Sequence, residues 1–379
     1  MFRRKGTLIW NYHSLILLYT YNYHLYICSQ FQKMNQYFTD DKKKKQQFLD
    51  LLSSPKKIVL TAHSNPDGDA FGSSLGLLAL LTQLNHEVQV ISPSGHADYI
   101  GWMPGTEKIL NYQENKLAAA NYVAEADLIF CLDFSSLGRL ADMEALIKES
   151  KAPKVMIDHH QRPEDFADYV FWNEKAAATC ELIYLLIELL GFASLVNKDV
   201  ATCLYTGILT DTGSFRFDST SKQVHRIAGE LINKGINPNS INRKLFDQNT
   251  LDRVKFLGYA LNEKLIYLEE YRVAYLFFSR EELNRFNSKQ GDTEGLVNYG
   301  LSISGAVMSV IFTEREDMVK MSFRSVDDFS VSEFANAHFS GGGHKNASGG
   351  RSLEPLDATV SKFLELLPDY KEKLLAQPA

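Results

Sequence analysis

His63, Asp67 and Asp69 lie in one short stretch, His63-Ser64-Asn65-Pro66-Asp67-Gly68-Asp69. Two carboxylates two residues apart, with an imidazole four residues before the first, converge on a tight turn set by Pro66 and Gly68. Hard oxygen donors with an imidazole nitrogen on a rigid turn suit a pair of divalent cations. The ordinary alternative is an aspartate-rich turn that caps the following helix, with Asp69 as N-cap. Three further places carry the same donor types. Asp133 stands alone after an apolar run, where a cap or turn would also use it. Asp158-His159-His160 follows a second apolar run. Adjacent histidines beside an aspartate have little use in packing, and one can ligate a metal while its neighbour meets the substrate. Asp211 closes the helical pattern of Gly207-Ile208-Leu209-Thr210-Asp211, where a negative charge opposes the helix dipole and wants a compensating cation.

Such donors need a rigid scaffold. Apolar, β-rich runs at 57–62, 87–91, 127–132 and 154–157 alternate with helical patterns at about 70–84, 140–149, 177–190 and 199–210. Short buried strands alternating with helices imply an α/β fold with a parallel sheet covered on both faces. Ligands of such sheets collect beyond the carboxyl ends of the strands, and the donor residues fall at that edge. After about Lys234 the texture changes. Residues 237–263 read as a helical connector. A second, smaller α/β unit follows, with strands at about 272–278, 305–313 and 318–325 and helices at about 293–301, 331–338 and 356–367. The expected division is an extension at 1–33, a catalytic domain at 34–233, the connector at 234–264 and a substrate-binding domain at 265–372, with the active site in a cleft between the domains.

At 379 residues the chain has room for two domains, each with its own core. Lys and Arg total 40 against 46 Asp and Glu, a formal net charge of -6, which excludes the global basic field that long nucleic acids need. A short anionic substrate, gripped at one end by metals and a few local Arg and His side chains, fits that balance. Cys28, Cys131, Cys180 and Cys203 show no Cys-x-x-Cys spacing. They read as reduced thiols of a cytoplasmic protein, with no zinc site or disulfide framework. The first 33 residues hold five of the 18 tyrosines, no acidic residue, and Arg3, Arg4 and Lys5 ahead of an apolar stretch. Asn11, His13, Asn22 and His24 interrupt that stretch, which stays short of a membrane span. The segment reads as upstream sequence ahead of a start at Met34. Without it 36 basic residues face 46 acidic ones, a balance of -10.

In their order and placing, the stretch from His63 to Asp69, Asp133, Asp158-His159-His160 and Asp211 resemble the four motifs of the DHH phosphoesterase superfamily. A fifth element, Gly341-Gly342-Gly343-His344-Lys345-Asn346-Ala347-Ser348-Gly349, resembles the glycine-rich motif of the DHH-associated C-terminal domain. The resemblance runs from about Lys56 to Leu367. It is nearest to the subfamily of bifunctional oligoribonucleases and 3′-phosphoadenosine 5′-phosphate phosphatases, the nano-RNases of NrnA type. It implies one metal on His63, Asp67 and Asp133, and a second on Asp69, Asp133, His159 and Asp211, with Asp133 bridging. It further implies that His160 contacts a phosphate oxygen, that Asp158 orients the histidines, and that Arg324 and His344 bind the substrate's terminal phosphate or first nucleotide. The cations implied are two manganese ions, with magnesium as the alternative; the imidazole ligands favour manganese.

The fifth element also has a physical reading. The run Gly341, Gly342, Gly343 lets the backbone approach a phosphate and offers N–H donors. Arg324, at the end of the strand pattern, can grip the same phosphate bidentately. In isolation the glycines would equally make a flexible turn, and Arg324 a surface ion pair. The expected enzyme is therefore a two-metal hydrolase that cuts short oligoribonucleotides to mononucleotides and dephosphorylates 3′-phosphoadenosine 5′-phosphate. Its expected partners are such short oligoribonucleotides and small nucleotides, with no long duplex and no membrane; a homodimer is compatible with base rates. The nearest rival is a phosphodiesterase for cyclic dinucleotides or their linear products. A processive exonuclease would want a basic groove, and a pyrophosphatase would not need the glycine-rich motif. A non-catalytic nucleotide sensor would have no need of donors intact at every motif.

Overall fold

The computed structural model describes residues 42–54, 56–289 and 291–378; the segment at 1–33 lies outside them. The described chain divides into one unit of residues 42–95, 103–159 and 163–236, and another of 96–102, 160–162 and 237–378. No helix among the described residues is long and apolar enough to cross a membrane.

The first unit begins with helix α1 (Lys42–Leu51), then β1 (Lys57–Ala62), α2 (Gly68–Gln83), β2 (Glu87–Ser92), β3 (Leu110–Asn111) and α3 (Lys116–Ala124). It continues through β4 (Leu128–Leu132), α4 (Glu144–Glu149), β5 (Lys154–Asp158), β6 (Tyr169–Trp172), α5 (Thr179–Leu190), α6 (Lys198–Asp211) and α7 (Lys222–Ile232). Its six strands lie in the order β3-β2-β1-β4-β5-β6, and every pairing is parallel. β1 and β4 are buried almost throughout, which is why they read as unbroken apolar runs rather than alternating ones. The strand order reverses between β1 and β4, so the crevice of the sheet opens where these two end. The helix expected over 140–149 starts late. A 3-10 segment, Leu137–Met143, precedes α4, and Ala141 at φ 50 breaks the helical path.

Helix α2 carries Gly68, Gly72 and Gly76 at four-residue spacing, and this stripe packs on α6. A Cβ at Gly72 would lie 2.6 Å from the Cys203 carbonyl oxygen, and one at Gly207 would lie 2.7 Å from Asp69 Oδ1. Missing side chains thus let the two helices approach closely, with Asp69 in the first turn of α2 and Asp211 ending α6.

The second unit contains α8 (Pro238–Phe246) and α9 (Leu251–Tyr259); residues 237–263, expected as a connector, are largely helical and belong to this unit, with Phe256 and Ala260 in its core. Strands β7 (Ile266–Leu268) and β8 (Val273–Phe278), short helices α10 (Arg280–Arg285) and α11 (Leu296–Leu301), and β9 (Met308–Glu314) follow. Then come β10 (Val319–Ser325), α12 (Val331–His338), β11 (Gly342–His344), β12 (Ala347–Ser352) and α13 (Leu356–Leu375). The sheet order is β11-β12-β10-β9-β8-β7. β8 and β9 are parallel and the other pairs antiparallel. Val319, Met321 and Phe323 alternate onto a core with Phe334, Phe339 and Phe363, the period-2 signature of a half-buried strand. Helix α13 continues through Pro368 to Leu375 rather than ending near residue 367. An internal proline costs about 3 kcal/mol. Beyond it Leu374 is fully buried in the core, which returns about 1.5–3 kcal/mol, and the last helical hydrogen bonds offset the remainder.

Replacing Gly72 with alanine is expected to destabilise the protein by about 1–3 kcal/mol through overpacking against α6. A urea titration reads this as a lower midpoint at constant slope; a wild-type midpoint would mean the helices do not meet this closely.

Candidate metal centre

The donors that open the sequence all reach the carboxyl edge of the first sheet. His63 follows β1, and its ring Nδ1 lies 2.9 Å from the Ser64 carbonyl oxygen. A carbonyl can only accept, so the proton sits on Nδ1 and Nε2 faces the carboxylates. Asp67, and not Asp69, is the N-cap of α2, with Oδ1 accepting from the Asp69 and Ala70 N–H groups at 3.0 Å each. The reason is that Gly68 already has helical geometry while Asp67 is extended, so Asp69 falls inside the first turn. There it is completely buried, and it is held by the start of another helix. Thr179 N donates to Asp69 Oδ2 at 2.6 Å and Cys180 N to Oδ1 at 2.9 Å. The unpaired N–H groups and the positive end of α5 thereby steady a buried negative charge.

Asp133 leaves β4 in the left-handed region, at φ 63, a conformation that aspartate tolerates better than most residues. Its amide donates to the Ile157 carbonyl at 3.0 Å, and Thr179 Oγ1 donates to its Oδ1 at 2.9 Å. His159 follows β5, with Nδ1 3.0 Å from the Ala176 carbonyl oxygen, which again fixes Nε2 toward the acids. Glu181 steadies that carbonyl's loop by accepting from Ala177 N at 2.7 Å; burial pushes Glu181 up to about 7. Asp158 ends β5 and is fully buried. His160 follows His159 in the chain and is half-buried.

Two donor groups result. His63 Nε2 lies 3.7 Å from Asp67 Oδ2 and 3.5 Å from Asp133 Oδ2. His159 Nε2 lies 3.8 Å from Asp69 Oδ2, 3.5 Å from Asp133 Oδ1 and 3.3 Å from Asp211 Oδ2. Asp133 therefore turns one oxygen toward each histidine. Donors bound to one cation at about 2.0–2.2 Å stand roughly 3–3.6 Å from each other; the contacts of Asp133 and Asp211 fall in that range, and those of Asp67 and Asp69 lie just outside it, so each group would close by a few tenths of an ångström around an ion. The donor set, imidazole Nε2 with carboxylate oxygens, fits two divalent cations bridged by Asp133.

The electrostatics agree with that fit. Burial raises Asp69 well above the usual carboxylate range, and the Asp133 and Asp211 charges raise it further. Burial, with the charges of Asp67 and Asp133, pushes Asp211 up to about 6 against the pull of His159. Burial opposes a charge on His63, but hydrogen bonds to Asp133 and Asp67 overcome it and raise the imidazole to about 10. His159 is raised in the same sense, its burial outweighed by Asp133 and Asp211. The acids thus favour the protonated form of both imidazoles, and a cation held by the same donors would take the protons' place.

The residues expected to hold a terminal phosphate belong to the second unit. Arg324 on β10 is directly opposite Ala347 on β12, which is opposite His344 on β11. Cross-strand partners share a face, so Arg324 and His344 lie in one row across three strands. The glycines have a different primary reason from phosphate approach. A Cβ at Gly341 would lie 2.2 Å from the Gly349 carbonyl oxygen, and Gly343, at φ 145, leaves no room beside the Ala347 carbonyl oxygen. Gly342 is open and exposed. Thr179, Cys180 and Glu181 were missed in the sequence because nothing in Thr179-Cys180-Glu181 marks a helix start that faces residues more than a hundred positions earlier. His86 and His338 have structural partners, Lys56 N and Tyr370 Oη.

Cation binding at neutral pH should release protons, because both histidines carry them in the cation-free protein and must surrender Nε2 to bind. Calorimetric titration with Mn2+ in buffers of different ionisation enthalpy should show buffer-dependent heats, and apparent affinity should rise with pH; buffer-independent heats would rule this ligand set out. Thr179→Ala should weaken Mn2+ binding about 10- to 100-fold, with Thr179→Ser restoring most of it. An alanine variant of wild-type affinity would show that the Asp133 hydrogen bond does not tune the site.

Comparisons with known proteins bear on the same residues. A model described as the DHH family, N-terminal domain, matches residues 57–208, and a DHHA1 domain model matches residues 270–372. The chain is 30% identical over 311 residues to a "Bifunctional oligoribonuclease and PAP phosphatase NrnA" of Thermus thermophilus, covering 81% of this chain and 88% of that protein. It is 26% identical over 306 residues to the protein of that name from Bacillus subtilis, covering 80% and 92%. The crystal structure of an exopolyphosphatase-related protein from Bacteroides fragilis superposes with a TM-score of 0.83 at 38% identity, covering 87% of this chain and 96% of that one. A sheet edge furnished with His63, Asp67, Asp69, Asp133, the Asp158-His159-His160 triplet and Asp211, followed by a second domain with its own glycine-rich hairpin, places the chain in the DHH family of phosphoesterases, with a DHHA1 domain as its C-terminal part.

Proposed function

We propose that the protein hydrolyses short oligoribonucleotides to mononucleotides and removes the 3′-phosphate of 3′-phosphoadenosine 5′-phosphate, using two divalent cations, manganese in the first instance. The observation that carries this reading is Asp133, whose two carboxylate oxygens each stand 3.5 Å from a different histidine. His63, Asp67 and Asp133 would hold one cation, and Asp69, Asp133, His159 and Asp211 the other. When bound, the cations supply a water acidic enough to attack phosphorus at neutral pH and positive charge for the departing oxygen. The chain's own residues do the rest. His63 and His159 keep Nε2 turned inward through their Nδ1–carbonyl contacts. Buried Asp158 orients the histidine pair, and His160 meets a phosphate oxygen. Arg324 and His344 of the second unit hold the substrate's terminal phosphate. The acidic balance of the chain supports a short substrate, because nothing global attracts a long polyanion. The names borne by the relatives from Thermus and Bacillus point the same way.

The test is incubation with Mn2+ and a labelled five-nucleotide RNA, and separately with 3′-phosphoadenosine 5′-phosphate, beside Asp133→Ala. Stepwise release of mononucleotides and of phosphate is expected, with the variant reduced by at least 100-fold. If neither substrate turned over, the reading would fall, and cyclic dinucleotides and their linear products would be assayed next.

A further inference from the structure

The face of the second sheet that carries Arg324 and His344 continues along β10. Lys320, Ser322 and Arg324 alternate onto it, while Val319, Met321 and Phe323 point into the core. Lys320 is directly opposite Arg351 of β12 and opposite Thr313 of β9. Arg315, two residues beyond Thr313, is held at the turn by its amide bonding to the Met318 carbonyl at 2.7 Å, so it extends the same face. Like charges directly opposite across a sheet are destabilising. Among the described residues Lys320, Arg351 and Arg315 make no ion pair within 4.0 Å; burial and the Arg315 charge push Lys320 below its usual range, and the Glu294 carboxylate offsets them in part. With one carboxylate beside three cations, this face keeps an excess of positive charge, in a chain of net charge -6, that an anion would offset.

Between the two cationic ends the surface is low. Ser322, Gly349 and Gly342 form one row across β10, β12 and β11. Gly342 and Gly349 are exposed, and a Cβ at either would meet nothing closer than 3.8 Å. Four residues of strand separate Arg324 from Lys320, about 13 Å, the length of roughly four stacked nucleotides or fewer extended ones.

We propose that Lys320 and Arg351, with Arg315 beside them, form a distal phosphate subsite for single-stranded oligonucleotides, reached from the Arg324–His344 row across a floor of Ser322, Gly349 and Gly342. This inference rests on the oligonucleotide reading above. It adds that the second domain grips more than the terminal phosphate, so that affinity grows over the first few nucleotides and then stops. The interaction is electrostatic and independent of base.

Binding of fluorescently labelled RNA, measured by anisotropy in EDTA so that nothing is cleaved, tests it on the full chain. The Lys320→Ala/Arg351→Ala double variant should weaken binding of a five-nucleotide RNA at least tenfold, and that loss should exceed the loss on a dinucleotide at least fivefold. The slope of log Kd against log salt for the longer RNA should fall by about 0.7 for each phosphate that the variant no longer neutralises. A Lys320→Arg/Arg351→Lys variant, which keeps both charges, should bind within threefold of wild type. Equal losses at both lengths, or less than a twofold loss on the longer RNA, would overturn the subsite. Hydrolysis by the wild-type protein, measured separately with Mn2+, bears only on the function proposed above.

Discussion

Carboxylates crowded into a water-poor pocket repel one another, and each resists ionising there. Asp69, Asp133 and Asp211 are gathered this way around His159, and Asp67 joins Asp133 around His63. The first domain can be read as the set of devices that keep these charges together. Two N–H groups at the start of α5 bind Asp69. The Thr179 hydroxyl binds Asp133. Two backbone carbonyls fix the histidine tautomers. None of these removes the excess negative charge, which is why the arrangement asks for divalent cations.

That demand reaches into the packing. Asp69 and Asp211 belong to different helices, and they can face one imidazole only if α2 and α6 approach closely. The glycine stripe of α2 and Gly207 of α6 permit it. Residues that look like small core fillers are in this sense part of the charge arrangement. The parallel sheet adds the remaining donors because β1, β4 and β5 end together at the reversal of strand order.

At β8 and β9 both faces of the DHHA1 sheet are buried, the second by Leu276, Phe278 and Ile311 packed with Phe256, Leu283 and Leu296; the domain divides its labour between two faces only from β10 outward. One face of β10 is buried among phenylalanines of α12 and α13, and this core, with the second cluster around Phe256 and Phe278, stabilises the domain. The other face carries Arg324, His344, Lys320 and Arg351 over small residues. Alternation of side chains along a strand lets one short peptide serve both purposes without compromise. The close approaches of Gly341 and Gly343 in the β11–β12 hairpin set the height of that surface before any ligand arrives.

Much of this was legible in the sequence because it is local. Buried parallel strands announce themselves as unbroken apolar runs, and the acids and histidines follow those runs directly. Side-chain chemistry fixed the class of ligand, and the order of the clusters fixed the family. The shortest elements were not legible: β3, β6, β7 and β11 are two to four residues long, and β12 is rich in glycine, so none has the length or pattern to declare itself. Nor was the path of α13 through Pro368, since the burial of Leu374 that sustains it is a tertiary fact. Only the folded chain decided that Asp67 caps α2 while Asp69 turns inward, that Asp133 divides its oxygens between two histidines, and that Thr179 and Cys180 serve acids 46 and 111 positions away. The physical reason is range. Propensity and periodicity act over a few neighbouring residues, whereas the grouping of these donors around two histidines depends on where separate strands and helices end in space.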